Sequence, residues 1–245
     1  MRQLSTLVLL LACVAPASSL ALTPQWKDVL GAFQSASPQG LGALSDSDIA
    51  AGLKAALAQG TRMAVQNLGR TDGFWANAAA RIPMPATLQK FEKTARGFGL
   101  GAYVDQFQLS MNRAAEQAVP VAADVFAQSI QQMTLTDARN ILTGPKDAAT
   151  QYFRRTTGQI LTVKFRPLVA QATARVGVAN RYKTLTAAAG PFAGALGAPT
   201  DLDGYVTEKA LDSLFVQVAA EEARIRDNPA ARGSEILKKV FGSRN

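Results

Sequence analysis

Apolar side chains recur along this chain at three- and four-residue intervals, and no long stretch alternates apolar with polar residues. The first pattern is the buried stripe of an amphipathic α-helix, and the second would mark a half-buried strand. After Ser45 or Asp46, which can start a helix, Ile49, Leu53, Leu57, Ala64 and Leu68 share one face up to Gly69. A loop over 70–85 carries Phe74, Trp75 and Pro83-Met84-Pro85, whose prolines exclude a continuing helix. Leu88, Phe91, Ala95 and Phe98 mark a second helix, ending near Gly99 and Gly101. Tyr103, Phe107, Met111, Ala114, Ala115 and Ala118 mark a third over 102–119. Pro120 suits the first turn of a fourth, bearing Phe126, Ile130 and Met133.

Thr134 and Thr136 are cap candidates for a short helix ending at Thr143-Gly144-Pro145. Residues 147–155 read as another short helix. Thr156-Thr157-Gly158-Gln159 then fits a capping box, opening a helix with Ile160, Phe165, Leu168, Val169, Ala172 and Val176. Pro167 inside that pattern is expected to kink or divide it. A short helix over 178–187 and a Gly/Pro-rich loop over 188–200 follow. The strongest pattern spans 204–226, with Leu211, Leu214, Phe215, Val218 and Ile225 inward, and a tail helix runs from Glu235 to Phe241. The expected fold is all-α: a single bundle of about eight to ten helices without strands.

The N-terminus reads differently. Arg2 precedes an apolar run from Leu4 to Ala12, too short for the roughly 20 residues that span a bilayer. Small residues follow it, with Ser19-Leu20-Ala21 or Ala17-Ser18-Ser19 as cleavage sites, so residues 1–21 read as a secretory signal. Cys13 is the sole cysteine. Leu10-Leu11-Ala12-Cys13 resembles a lipobox, which would anchor the mature chain through a lipidated Cys13. In the other reading Cys13 is removed with the signal. The expected location is the periplasm, with a membrane-anchored lipoprotein as the alternative. Residues 22–44 are expected to hold a short helix, with Trp26, Val29, Leu30 and Phe33, and a Ser/Gly/Pro-rich linker; the helical domain follows over 45–242. Nothing after residue 21 is apolar for long enough to span a membrane.

The chain has no histidine in 245 residues. Within this chain alone, that excludes Ser-His-Asp and Cys-His catalysis and histidine-ligated zinc, haem or copper. No cofactor or metal site is expected. Without cysteine the mature chain depends on core burial, and 224 residues suffice to bury roughly 70% of the unfolded surface.

Several stretches carry a resemblance in their order and spacing. They are GLKAALAQG at 52–60, the loop from Gly73-Phe74 to Pro85, LSMNRAAEQAVP at 109–120 and MTLTDARNILTGP at 133–145. DAATQYFRRTT at 147–157, YVTEKALDSLF at 205–215, AEEARIRDNPAAR at 220–232 and ILKKVFG at 236–242 complete the set. Together they resemble the DUF4197 proteins, an exported bacterial family of unknown function. The resemblance covers most of residues 50–242. It implies an exported, mostly helical protein and supplies no catalytic residues. The Ala-rich 184–198 segment departs from common members of the family.

Charge is distributed unevenly. Residues 139–183 hold nine basic residues and one acidic residue, whereas 201–222 hold six acidic and one basic. Either 139–183 is a patch for anionic partners, such as lipid phosphates, glycolipids or acidic polymers, or the acidic helix docks on it and neutralises it. Arg154-Arg155-Thr156 suggests an anion grip beside a helix N-terminus, or alternatively a solvated arginine, a paired arginine and a threonine cap. Arg113 and Glu116, three apart, suit an intrahelical pair, which if buried would bridge to Arg154 or Glu208. Glu208 and Asp212 share a helical face. Asn112, Arg113, Glu116, Arg154, Arg155, Thr156, Glu208 and Asp212 thus form the candidate polar, anion-binding cluster. Asp201-Leu202-Asp203-Gly204 lacks calcium-loop spacing and reads as a helix cap, and Gly97 to Gly101 reads as a helix-helix turn.

The leading expectation is a non-catalytic binding or scaffold protein of the cell envelope. Its partner would be an anionic envelope component or another envelope protein; nucleic acid is not the expected partner of an exported chain. The alternatives are a carrier holding an amphiphile between helices and a histidine-free enzyme using carboxylates or arginine.

Overall fold

Ser45 caps the first described helix. Its hydroxyl accepts the Asp48 N–H at 3.2 Å while the Asp48 carboxylate accepts the Ser45 N–H at 3.3 Å. This reciprocal box satisfies two donors that a helix start leaves open. The computed structural model describes residues 45–190 and 201–227. The chain divides into two units, Met1–Ala43 and Leu44–Asn245, and every described residue lies in the second. The leader with Cys13, the short helix and linker before Ser45, and the tail helix at 235–241 lie outside the described residues.

The described residues form eight α-helices and no strand. In order these are α1 (Asp46–Gly69), α2 (Ala86–Gly97), α3 (Gly101–Ala118), α4 (Ala122–Gln132), α5 (Leu135–Thr143), α6 (Ala148–Val176), α7 (Val178–Ala189) and α8 (Leu202–Asp227). A 3₁₀ turn, Val119–Val121, places Pro120 between α3 and α4. The all-α expectation holds. None of the described helices is long and apolar enough to cross a membrane.

The centre of the bundle is α6, which packs against α3, α4 and α8. Phe153, Leu161, Phe165 and Val169 of α6 are fully buried and meet Phe107 and Met111 of α3, Phe126 of α4 and Leu214 of α8 in one core. Phe126 lies edge-on to Phe153 at 5.1 Å and to Phe215 at 6.3 Å between ring centroids. Burying such a side chain contributes roughly 2–3 kcal/mol, so apolar contact carries the stability that disulfides supply elsewhere. All five residues expected inward on α8 are buried.

Two local expectations give way. Residues 147–155 and 156–176 are one helix, because the Thr156 and Thr157 hydroxyls point backward. They donate to the Tyr152 and Phe153 carbonyls at 2.9 and 2.6 Å instead of capping a new helix. The helix also runs on through Pro167. It ends at Gly177, whose φ of 72° is a left-handed conformation that glycine adopts without a side-chain clash. The second correction concerns apolar residues assigned to helix stripes: Phe98, Tyr103 and Ile160 are exposed.

Candidate functional site

The eight polar residues singled out by the sequence lie in three places. The first is the end of α3, which holds the loop over 70–85. The loop needs Gly73 at its start, where a Cβ would run into the Asn67 and Leu68 carbonyl oxygens. The Glu116 Oε1 atom accepts the Phe74 and Trp75 N–H groups at 3.1 and 3.3 Å. Its Oε2 atom accepts Arg113 at 2.7 Å, and Arg113 reaches Asp72 at 2.7 Å. The hydrogen bond to Glu116, joined by that to Asp72, raises the Arg113 pKa further. The Asn112 amide accepts the Ile82 N–H at 2.8 Å and donates to the Ile82 carbonyl at 3.1 Å. From the other side, Ser213 and Tyr205 of α8 donate to the Ala80 and Pro83 carbonyls. The expected Arg113–Glu116 pair is present, but its bridge goes to Asp72 and the loop backbone, not to Arg154 or Glu208.

The second place is a cavity of about 320 Å³ between α4, α5 and α6, lined in part by Ser129, Asp137, Tyr152, Arg155 and Thr156. The Thr156 hydroxyl is 2.9 Å from that of Ser129, and the buried Tyr152 hydroxyl donates to the Ser129 carbonyl. The Arg155 guanidinium lies 5.6 Å from the Tyr152 ring centroid. Thr134 caps α5 through a reciprocal box with Asp137. Hydrogen bonds from the Thr134 hydroxyl and N–H lower the Asp137 pKa. Arg155 and Thr156 sit within a helix, where the backbone N–H groups are already bonded, so the helix-terminus anion grip is not formed there.

The third place is a groove of about 420 Å³ between α6 and α8. Arg154, Arg166 and Thr162 line one side, Glu208 and Asp212 the other, and Leu211 and Phe215 contribute apolar surface. The Arg154 guanidinium stacks 4.5 Å above the Phe215 ring centroid. A guanidinium held over a ring keeps its N–H edge available for an oxyanion. Glu208 and Asp212 share the Lys209 ammonium at 2.9 and 3.4 Å and are largely exposed. Chiefly through Glu208, they raise the Lys209 pKa. This is a solvated network, unlike two carboxylates facing each other across an enclosed sugar cleft.

The acidic stretch does not neutralise the basic one. Among the ion pairs of the described residues, the one that joins the acidic stretch to a cation of 139–183 is Asp201 with Arg166, at 2.8 Å. Asp203 accepts the Thr173 hydroxyl, and Glu221 pairs with Arg224 on its own helix. Glu222 is buried at the start of α6, where it accepts the Ala149 and Thr150 N–H groups at 3.0 and 2.8 Å. Arg226 pairs with it at 2.8 Å and also donates to the Ile141 carbonyl. The helix start expected at Thr156 thus lies at Ala148, and there the chain's own Glu222 carboxylate, not an external anion, accepts the free N–H groups. The local sequence carries no signal for this, since Glu222 lies more than 70 residues downstream.

All nine basic residues of 139–183 are exposed. Arg139 pairs with Asp46 and Arg166 with Asp201; the other seven have no ion pair among the described residues. Those residues also hold no group of three or more acidic side chains arranged to bind a metal ion.

A family model described as a protein of unknown function, DUF4197, matches residues 43–242. Neither a curated protein nor a solved structure matches the chain.

Proposed function

This chain belongs to the DUF4197 family, and we propose that it is a non-catalytic binding protein of the cell envelope whose exposed cations over 139–183 take an anionic partner. The observation that carries this reading is the outward placement of all nine cations of 139–183, seven without an ion pair among the described residues. Cations held at a protein surface raise the local concentration of anions and speed their capture. The leader over 1–21, read from sequence alone, supports an envelope location.

Long-chain polyphosphate is a suitable probe because it offers anionic charge without an apolar part. The full chain is expected to bind it at low salt and to lose at least tenfold in affinity at physiological salt, since exposed charges are screened. Changing Arg155, Lys164 and Lys183 to glutamate should abolish binding with helical content unchanged. Absence of binding at low salt, or unaltered binding by the triple variant, would overturn the reading.

A second reading is a carrier for an amphiphile. It is favoured by the α6–α8 groove, where Leu211 and Phe215 supply apolar surface and Arg154 supplies a cation beside it. A fluorescent fatty acid displaced from the parent, but not bound by an Arg154→Ala/Leu211→Gln variant, would select this reading.

A further inference from the structure

The central helix α6 is apolar on two sides. Phe153, Leu161, Phe165 and Val169 fill the core, yet Ile160 and Val163 point into solvent, 47% and 64% exposed. Pro167 is exposed as well. Steps of three and then four residues put these three on one outward stripe, about 10 Å long at the helical rise. Cations border it. Lys164 lies one turn after Ile160, Arg166 three residues after Val163, and Arg155 near the start, all exposed. Lys164 and Arg155 have no ion pair among the described residues. Apolar residues at the centre with lysine and arginine at the margins suit the boundary between phospholipid headgroups and acyl chains. The same helix is not apolar enough to cross a membrane, so it would lie along the surface.

We propose that the outward face of α6, with Ile160, Val163 and Pro167 bordered by Arg155, Lys164 and Arg166, docks on an anionic phospholipid bilayer. This rests on the anion-binding reading and names its partner. Charge complementarity selects the occupant: Arg155, Lys164 and Arg166 border the stripe, Arg166 alone of the three being ion-paired among the described residues, with Asp201, and anionic lipid presents a continuous negative surface. A soluble polyanion would use the cations but leave the apolar stripe in water.

The test compares the full chain, by co-sedimentation, on vesicles of phosphatidylcholine alone and vesicles with about one-third phosphatidylglycerol. Binding is expected only to the latter. The Ile160→Gln/Val163→Gln variant keeps every charge and should keep its fold, because both positions are exposed; circular dichroism checks this. It should lose about tenfold in vesicle affinity while binding polyphosphate within about twofold of the parent. Lys164→Gln should lose about fivefold on vesicles. The lipid assignment is overturned if the double variant binds vesicles like the parent, if it loses vesicle and polyphosphate binding alike, or if the parent binds polyphosphate but no vesicle. In that last case anion binding stands and only the lipid partner falls; if the parent binds neither probe, both fall.

Discussion

The helices α3 and α6 pack against each other, yet they use polar and charged residues in opposite ways. On α3, Asn112 and Glu116 are buried and committed to the chain itself, holding the backbone of Phe74, Trp75 and Ile82. On α6, Arg154, Arg155 and Lys164 are exposed and form no ion pair among the described residues. A buried polar group without partners costs free energy, so the α3 cluster must be satisfied internally for the fold to hold. An exposed cation is satisfied by water and stays available to another molecule. Polar side chains that look equivalent in the sequence therefore separate into fastening and available groups according to burial.

Under this division the largest effect on stability comes from the fastening carboxylates. Glu116→Leu leaves two loop N–H groups without their acceptor and Arg113 without one of its two carboxylate partners. It should lower unfolding stability by about 3 kcal/mol in urea titration, with polyphosphate affinity of the folded protein unchanged. Glu222→Leu removes the acceptor of the first α6 N–H groups and should cost a similar amount. Loss of anion binding by the folded Glu116 variant would break the distinction between the two helices. Asn112→Leu ranks next, at about 2 kcal/mol, because it leaves the buried Ile82 N–H without its acceptor, while the Ile82 carbonyl keeps the Gln108 amide as donor. Amide exchange of the Ile82 N–H should accelerate in that variant while exchange in the core of α6 changes little.

Most helices were legible because the core is built from recurring Leu, Phe and Ala, and their spacing survives without knowledge of the partner helix. The starts of α1 and α5 were legible because Ser45 and Thr134 bond within their own first turns. The start of α6 was not. Its acceptor is Glu222, brought there by tertiary packing, while Thr156-Gln159 imitates a cap locally. The pair Arg113–Glu116 was visible as a three-residue step, but Asp72, 41 residues before Arg113, was not. Grouping the eight candidates into one cluster failed for the same reason. Adjacent arginines on a helix point about 100° apart, so Arg154 enters the α6–α8 groove and Arg155 the cavity against α4.

The α5 cap offers a smaller effect with a pH signature. The Asp137 carboxylate is bonded to the Thr134 hydroxyl and N–H, and its folded pKa lies below the ordinary value. Its contribution is therefore complete above the unfolded pKa of about 3.9 and disappears as pH falls through the folded value. Thr134→Ala should cost about 1 kcal/mol at neutral pH. The gap between parent and variant should narrow below about pH 4, when protonation weakens the same box in the parent. A pH-independent gap would place the threonine's effect in packing.

The smallest expected change in stability belongs to Lys164, and it sharpens the contrast most. Its side chain is exposed and has no ion pair among the described residues. Lysine and glutamine have similar helix propensities, so Lys164→Gln should leave stability within about 0.5 kcal/mol of the parent. If the cation were fastening the fold through a contact with α8, the urea midpoint would fall instead. If it is available to an external anion, the midpoint stays and polyphosphate affinity drops, with the difference disappearing at high salt. Measured beside Glu116→Leu, this variant gives the converse pattern: binding lost with stability kept, against stability lost with binding kept. A single mechanism of general weakening cannot produce both, because it would move the two quantities together in each protein.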